Sequence, residues 1–130
     1  MAIDVAAQVR YWRDGSADDL DAARTLLAAG KIRQAAFFVH LAIEKAIKAC
    51  VVAATRDLAP RNHDLLFLIE RANLALPQPR RDFMGRVQMY CMEGRYPNEG
   101  PPPTDAQAVA TDIDNAAETI RWLTSQLNNP

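Results

Sequence analysis

The chain has 130 residues, and 49% of them are hydrophobic, which predicts a single globular domain around one core. Its net charge of −1 argues against a general nucleic-acid binder. No apolar run approaches the roughly 20 residues of a membrane span. The first residues include Asp4 and lack the apolar core of a signal peptide, so we expect a cytoplasmic protein without a membrane anchor.

Charge is unevenly distributed along the chain. Residues 31–98 carry eleven Lys or Arg and six Asp or Glu, a balance of +5. Residues 1–30 carry three Arg and five Asp, a balance of −2, and residues 99–130 carry one Arg and five acids, a balance of −4. The basic middle could attract phosphates, or it could face the acidic ends of the same fold or of a partner subunit.

Apolar residues recur at helical spacing almost throughout the chain. The first predicted helix covers about residues 3–29, with Gly15 as a site that allows a kink and Gly30 as the C′ residue. The second covers residues 31–54 and is the strongest, with a wide apolar stripe. Five alanines in it permit close approach of a neighbouring helix; they are Ala35, Ala36, Ala42, Ala46 and Ala49.

Three further helices are predicted after Pro60. The third begins near His63 or Asp64 with Asn62 as its N-cap, and the fourth covers about residues 79–92. The fifth begins at Thr104, where Gln107 completes a capping box, and continues to the C-terminus. No segment alternates like a strand. The fold class is therefore all-α, an up-and-down antiparallel bundle of four to five helices in a single domain with its core at about 5–125.

A polar stripe interrupts the second helix. His40, Glu44 and Lys48 are four residues apart and therefore lie on one face. Glu44 before Lys48 is the favourable order for a helix ion pair. The stripe is either a solvated, salt-bridged surface or a polar face buried at a subunit contact or in a cleft. With only His40 and Glu44 as candidate ligands, we expect no metal site and no cofactor.

Two other places carry candidate anion-binding groups. Arg61 and His63 flank the start of the third helix, where free amides and the helix dipole favour an anion, although they could equally form an N-cap cluster. Arg95 and Tyr96 follow the fourth helix, where Arg95 suits the negative end of the dipole. Alternatively, Arg95 shares a groove with Lys45, Lys48 and His63 and holds a phosphate there.

Nucleophilic catalysis has little support in the sequence. Ser16 and Ser125 lie in helical runs without an exposed elbow, and no glycine-rich phosphate loop is present. Cys50 falls on the apolar stripe, so burial should keep it inert, and we expect Cys50 and Cys91 to be free thiols.

Several segments occur in an order that resembles the HEPN (higher eukaryotes and prokaryotes nucleotide-binding) domain family. They are "YWRDGSADDLDAARTLL", "GKIRQAAFFVHLAIEKAIKA", "HDLLFLIERA" and "GRYP", and they cover about residues 5–125. The positions that match shared family residues are Glu44, Lys45, Lys48, His63, Arg95, Tyr96 and Pro97.

This resemblance implies a helical bundle that forms a homodimer and that is often paired with a minimal nucleotidyltransferase in a toxin–antitoxin or nucleotide-related system. It also implies, for some members, metal-independent ribonuclease activity from an Arg and a His four to six residues apart. After Arg95 that spacing falls on Gly100, Pro101 and Pro102, so the nuclease motif is absent there. Arg56 and His63 satisfy the spacing but precede the third helix, on the wrong element.

Three hypotheses follow from the sequence. The favoured one is a dimeric binding module that binds a nucleotide or another anion, or associates with a nucleotidyltransferase, without being an enzyme. Its candidate cleft residues are Glu44, Lys45, Lys48, Arg61, His63, Arg95 and Tyr96. The second is a metal-independent endoribonuclease in which His63 and Arg95 converge and cleave RNA. The third is a purely structural dimer.

Overall fold

The computed structural model describes the backbone of residues 2–95 and 105–127, and the side chains of residues 2–91 and 105–127. Every regular element in these residues is a helix, which confirms the predicted all-α class. The five helices are α1 (Val5–Ala28), α2 (Ile32–Thr55), α3 (Leu65–Arg71), α4 (Gln78–Arg95) and α5 (Ala106–Gln126). None of the helices among these residues is long and apolar enough to cross a membrane.

Helix α1 runs unbroken through Gly15. Its N-cap is Asp4, whose carboxylate accepts from the Ala7 amide at 3.0 Å. Gly30 follows the C-cap with φ +79°, a left-handed conformation that glycine adopts without strain, as the sequence predicted. A Cβ at position 15 would lie 3.2 Å from the Lys45 Cδ, so Gly15 leaves room for the Lys45 side chain to cross α1.

Helix α2 is the centre of the bundle, since α1, α3, α4 and α5 all pack against it. The five alanines predicted to allow this close approach are all buried. The largest fully buried side chains come mainly from α2 and α3, and they include Ile43, Ile47, Leu65, Leu68 and Ile69. A helix surrounded by four others must bury every polar residue that it carries on its inward faces, which sets the chemistry of the site below.

Two predicted N-caps are wrong by a residue or two. Asp64, and not Asn62, caps α3 by accepting from the Phe67 amide at 3.1 Å, while Asn62 accepts from the Asp64 amide in a preceding turn. Asp105 caps α5 by accepting from the Ala108 amide at 2.7 Å. Thr104, the predicted cap, lies outside the described residues. Asp and Asn or Thr have similar cap preferences, so neighbouring candidates cannot be ranked by residue type.

Candidate functional site

The polar stripe of α2 is buried, so its interpretation as a solvated surface was wrong. Glu44 is only 3% exposed, and His40 and Lys48 on the adjacent turns are also buried. Helices α1 and α4 both pack on α2, and His63 in the segment before α3 lies against His40 and Glu44. A carboxylate in such a place requires close cationic or hydrogen-bonding partners.

Glu44 is surrounded by three basic side chains, which with it form what we call the Glu44 cluster. The His63 Nδ1 lies 3.0 and 3.1 Å from the two carboxylate oxygens. The Lys48 Nζ is 3.0 Å from Oε2, and the His40 Nδ1 is 3.6 Å from Oε1. The sequence placed His40, Glu44 and Lys48 on one face, and the fold adds His63 from the segment before α3.

His63 is held by its backbone as well as its ring. Its carbonyl oxygen accepts from the His40 Nε2 at 3.0 Å and from the Gln88 Nε2 at 3.1 Å. The Oε1 of Gln88 in turn accepts from the Leu65 amide at 2.8 Å, which ties α4 to the start of α3. Hydrogen bonds from His40 on α2 and Gln88 on α4 therefore hold the His63 carbonyl in place, and this restrains the position of the His63 imidazole.

The His63 imidazole is oriented by Glu44 but remains accessible. Its side chain is 49% exposed, while that of Glu44 is 4% exposed. Because Nδ1 faces a carboxylate it carries the proton, so in the neutral ring Nε2 is left with a lone pair. The Glu44 cluster therefore presents a ring that can accept a proton at Nε2 or, once protonated, donate from Nε2 to an anion.

His40, unlike His63, is not accessible to a ligand. Its ring is fully buried, and burial lowers its pKa, outweighing the opposite effects of the Glu44 charge and of the hydrogen bond to the His63 carbonyl. In the neutral ring, Nε2 carries the proton and donates to that carbonyl. His40 is therefore a structural support for His63.

Lys48 connects the cluster to an aromatic pair that sequence reasoning missed. Its Nζ lies 5.1 Å from the Trp12 ring centroid, so the cation is held between a carboxylate and a π face. Tyr11 meets Trp12 edge to face at 5.1 Å, and Tyr11 is 65% exposed. Only the pairing of α1 with α2 reveals this contact, since Trp12 fits the apolar pattern of α1 as a core residue.

The other candidate residues are not all gathered at this cluster. Lys45 faces α1, where its Nζ pairs with Asp19 at 2.8 Å. Arg61 is exposed two residues before His63. Helix α4 ends at Arg95, whose side chain, like all of Tyr96, lies outside the described residues.

Two backbone amides at the start of α3 are already engaged within the fold and do not face a ligand. The Leu65 amide donates to Gln88 and the Phe67 amide donates to Asp64. In the part of the chain that the structure describes, no group of three or more His, Cys, Asp or Glu side chains could hold a metal ion. What the site offers is therefore the His63 imidazole itself.

Cys50 and Cys91 are both buried thiols, as predicted. The Cys50 thiol lies 3.4 Å from the Leu123 carbonyl oxygen, and burial raises its pKa to about 12. A thiol with such a pKa carries almost no thiolate at neutral pH, so Cys50 is a core residue without nucleophilic reactivity.

Comparison with known proteins identifies a family and several similar folds. The family model of the HEPN domain matches residues 9–126. The structure resembles that of TT1696 from Thermus thermophilus, with a TM-score of 0.76 and 20% identity over 91% of this chain and 97% of that one. It also resembles ST0689, described as an archaeal HEPN homologue, with a TM-score of 0.72 and 22% identity over 92% and 97% of the two chains. No functionally curated protein shows significant sequence similarity.

Proposed function

Because this chain belongs to the HEPN domain family, we propose that it is a dimeric binding module whose ligand contacts the surface around His63. The ligand is a nucleotide or another phosphate-bearing anion, or a nucleotidyltransferase partner in a toxin–antitoxin-like system of the cytoplasm. The observation that supports this most is the pairing of a buried Glu44 with a half-exposed His63. A carboxylate that is itself inaccessible holds an accessible imidazole in one orientation.

The distribution of charge in the cluster favours binding over catalysis. Lys48 is buried and committed to Glu44, and Lys45 is committed to Asp19, so neither offers a free ammonium to a reacting group. Among the described residues, His63 and Arg61, which precedes it by two residues in the chain, are exposed basic groups that a ligand can reach. Two such groups can recognise a phosphate by charge and hydrogen bonding. The family resemblance makes Arg95 and Tyr96 further candidates for contact with the ligand.

Calorimetric titration of the purified protein with ATP tests the binding function. We expect His63→Ala and Arg61→Ala each to weaken binding by about tenfold, the effect of losing one charge-assisted contact. Arg71→Ala is the matched control, because Arg71 is an exposed cation at the opposite end of α3. Equal weakening by Arg71→Ala, or no binding of ATP, would count against a nucleotide site around His63. Co-purification with a nucleotidyltransferase would then test the protein partner.

A homodimer is the second part of the proposal. Members of the family commonly dimerise, and among the described residues three large hydrophobic side chains are exposed, namely Tyr11, Leu58 and Phe67. Light scattering at micromolar concentration should give about twice the mass of one chain, 14.4 kDa. A mass of one chain would refute the dimer.

A ribonuclease is the second candidate function, and the Glu44–His63 pair is the observation that favours it. A carboxylate that holds the Nδ1 proton of a histidine leaves Nε2 as a general base. This candidate predicts cleavage of single-stranded RNA in the presence of EDTA, abolished by His63→Ala and by Arg95→Ala. Intact RNA after incubation with the wild-type protein would remove this candidate for the substrates tried.

A further inference from the structure

A groove separates α4 from α5. Both helices pack on α2, but among the described residues they make few direct backbone contacts with each other. The cavity between them has a volume of about 780 Å³, within the range of small-molecule sites. Its lining comes from the first half of α4 and the middle of α5, with Arg80, Arg86, Phe83, Asn115 and Glu118 among the residues.

Arg80 is fixed at one part of this groove. Its Nη1 donates to the hydroxyl of Thr119 at 3.1 Å, and Thr119 is buried. Its guanidinium also lies 5.7 Å from the Trp122 ring centroid. A stacked, hydrogen-bonded guanidinium has lost most of its conformational freedom, so its remaining N–H groups are preorganised for an acceptor.

Arg86 is fixed in a similar way further along α4. Its Nη1 donates to Asp112 at 2.8 Å, and its guanidinium lies 5.4 Å from the Phe83 ring centroid. Asp112 is buried in α5 and also accepts from the Tyr90 hydroxyl, so two donors hold the carboxylate in place. Each of the two arginines therefore uses one nitrogen to bridge α4 and α5.

The charges of the lining define what the groove can take. Arg80 and Arg86 are balanced by Asp82 and Glu118 in the lining, and Arg86 is also paired with the buried Asp112. Asp82 accepts from the side-chain amide of Gln78 at 2.8 Å. Such a balance does not suit a polyanion such as RNA. One compact oxyanion can still find donors there, because each guanidinium has five N–H groups and only one is engaged in the bonds above.

We propose that the groove between α4 and α5 is a second ligand site, for a small molecule that carries a phosphate or a carboxylate group. Arg80 and Arg86 bind the oxyanion, and Asn115 contributes an amide donor. The site is separate from the His63 surface, because Gln88 joins α4 to the α3 side whereas Arg86 joins it to α5. Whether or not this second site binds a ligand, the function proposed above for the His63 surface is unaffected.

Nuclear magnetic resonance of the two tryptophan indoles in the wild-type protein tests this site. Inorganic phosphate and succinate are titrated separately against chloride at matched ionic strength. We expect a saturable shift of the Trp122 indole N–H, because the Trp122 ring centroid lies 5.7 Å from the Arg80 guanidinium. The Trp12 indole, whose ring lies beside Lys48, reports separately on binding at the His63 surface. A response to phosphate alone or to succinate alone identifies the oxyanion. No saturable shift of Trp122 with either probe overturns the proposal.

Two variants and a control make the test specific. Arg80→Gln keeps a donor for Thr119 but removes the charge, and Asn115→Asp adds a carboxylate of the same size to the lining. Each should weaken binding by about tenfold or more. Arg81→Gln removes the same charge from a neighbouring residue outside the lining and should change the affinity by less than about twofold. Equal weakening by Arg81→Gln would show nonspecific attraction and contradict the site.

Discussion

Glu44 is the residue on which the site depends. It is buried between two histidines and a lysine that come from α2 and from the segment before α3. The periodicity of α2 was sufficient to predict that His40, Glu44 and Lys48 share a face. It could not show that the face is buried or that His63 joins it, because both depend on which helices pack against α2.

The neutral state of His40 predicts a specific acid sensitivity. Its pKa is lowered in the folded protein, so below about pH 6.5 the unfolded chain binds a proton that the folded protein excludes. Stability is therefore fully present above this pH and falls as the pH decreases, by at most about 1.4 kcal/mol per pH unit for one proton. His63, Glu44 and Lys48 are the other charged or titratable groups around the ring.

Urea denaturation of wild type and His40→Gln between pH 7.5 and pH 5 measures this effect. Glutamine can still donate to the His63 carbonyl but does not titrate. The free energy of unfolding of the variant should therefore fall less steeply with decreasing pH. Parallel pH profiles for the two proteins would show that His40 is not the source of the acid sensitivity.

The burial of the Glu44–Lys48 pair predicts a strong coupling between the two residues. Glu44→Gln leaves the Lys48 charge buried without its partner and should cost about 3–5 kcal/mol of unfolding free energy. Lys48→Met added to Glu44→Gln should recover part of that loss, because the uncompensated charge is gone. Urea denaturation of both single variants and the double variant measures the coupling. Additive losses would mean that the pair does not interact as the structure indicates.

At the scale of the helices, the type and order of the elements could be predicted from the sequence. The residues at which the helices begin and end were predicted less accurately. The wide apolar stripe and the alanines of α2 predicted a helix closely approached by a neighbour, and Gly30 predicted the end of α1. That α2 is the central helix of the bundle was not predicted. The caps of α3 and α5 could not be chosen from residue type, since Asn62 and Asp64, or Thr104 and Asp105, are all good capping residues. Backbone conformation at each residue decides between them.

The cap of α5 can be tested directly. Asp105→Ala removes the acceptor of the Ala108 amide and should cost about 1 kcal/mol of unfolding free energy. Thr104→Ala, at the residue favoured by the sequence, should cost less than about 0.5 kcal/mol. Thermal or urea denaturation of the two variants compares them. If Thr104→Ala lost more unfolding free energy than Asp105→Ala, then Thr104 would be the N-cap and α5 would begin with the predicted capping box.

At the scale of the whole molecule, the arrangement around α2 explains both sites. The same central helix that buries Glu44 also keeps α4 and α5 apart, so one flank of α4 supports His63 through Gln88 and the other lines a groove through Arg86. The Arg86–Asp112 contact joins residues 26 apart in the sequence, and sequence periodicity did not reveal it. Family resemblance identified the fold and its shared residues, but only the packing shows which of their side chains remain accessible.

The two histidines of the chain make the central claim directly measurable. In a titration of the wild-type protein with ATP, followed by the imidazole resonances, the account predicts that the His63 signals shift saturably. The signals of the buried His40 should change much less and serve as the internal reference. If ATP binds and neither histidine responds, or His40 responds as strongly as His63, then the ligand does not contact the His63 surface and the account is contradicted.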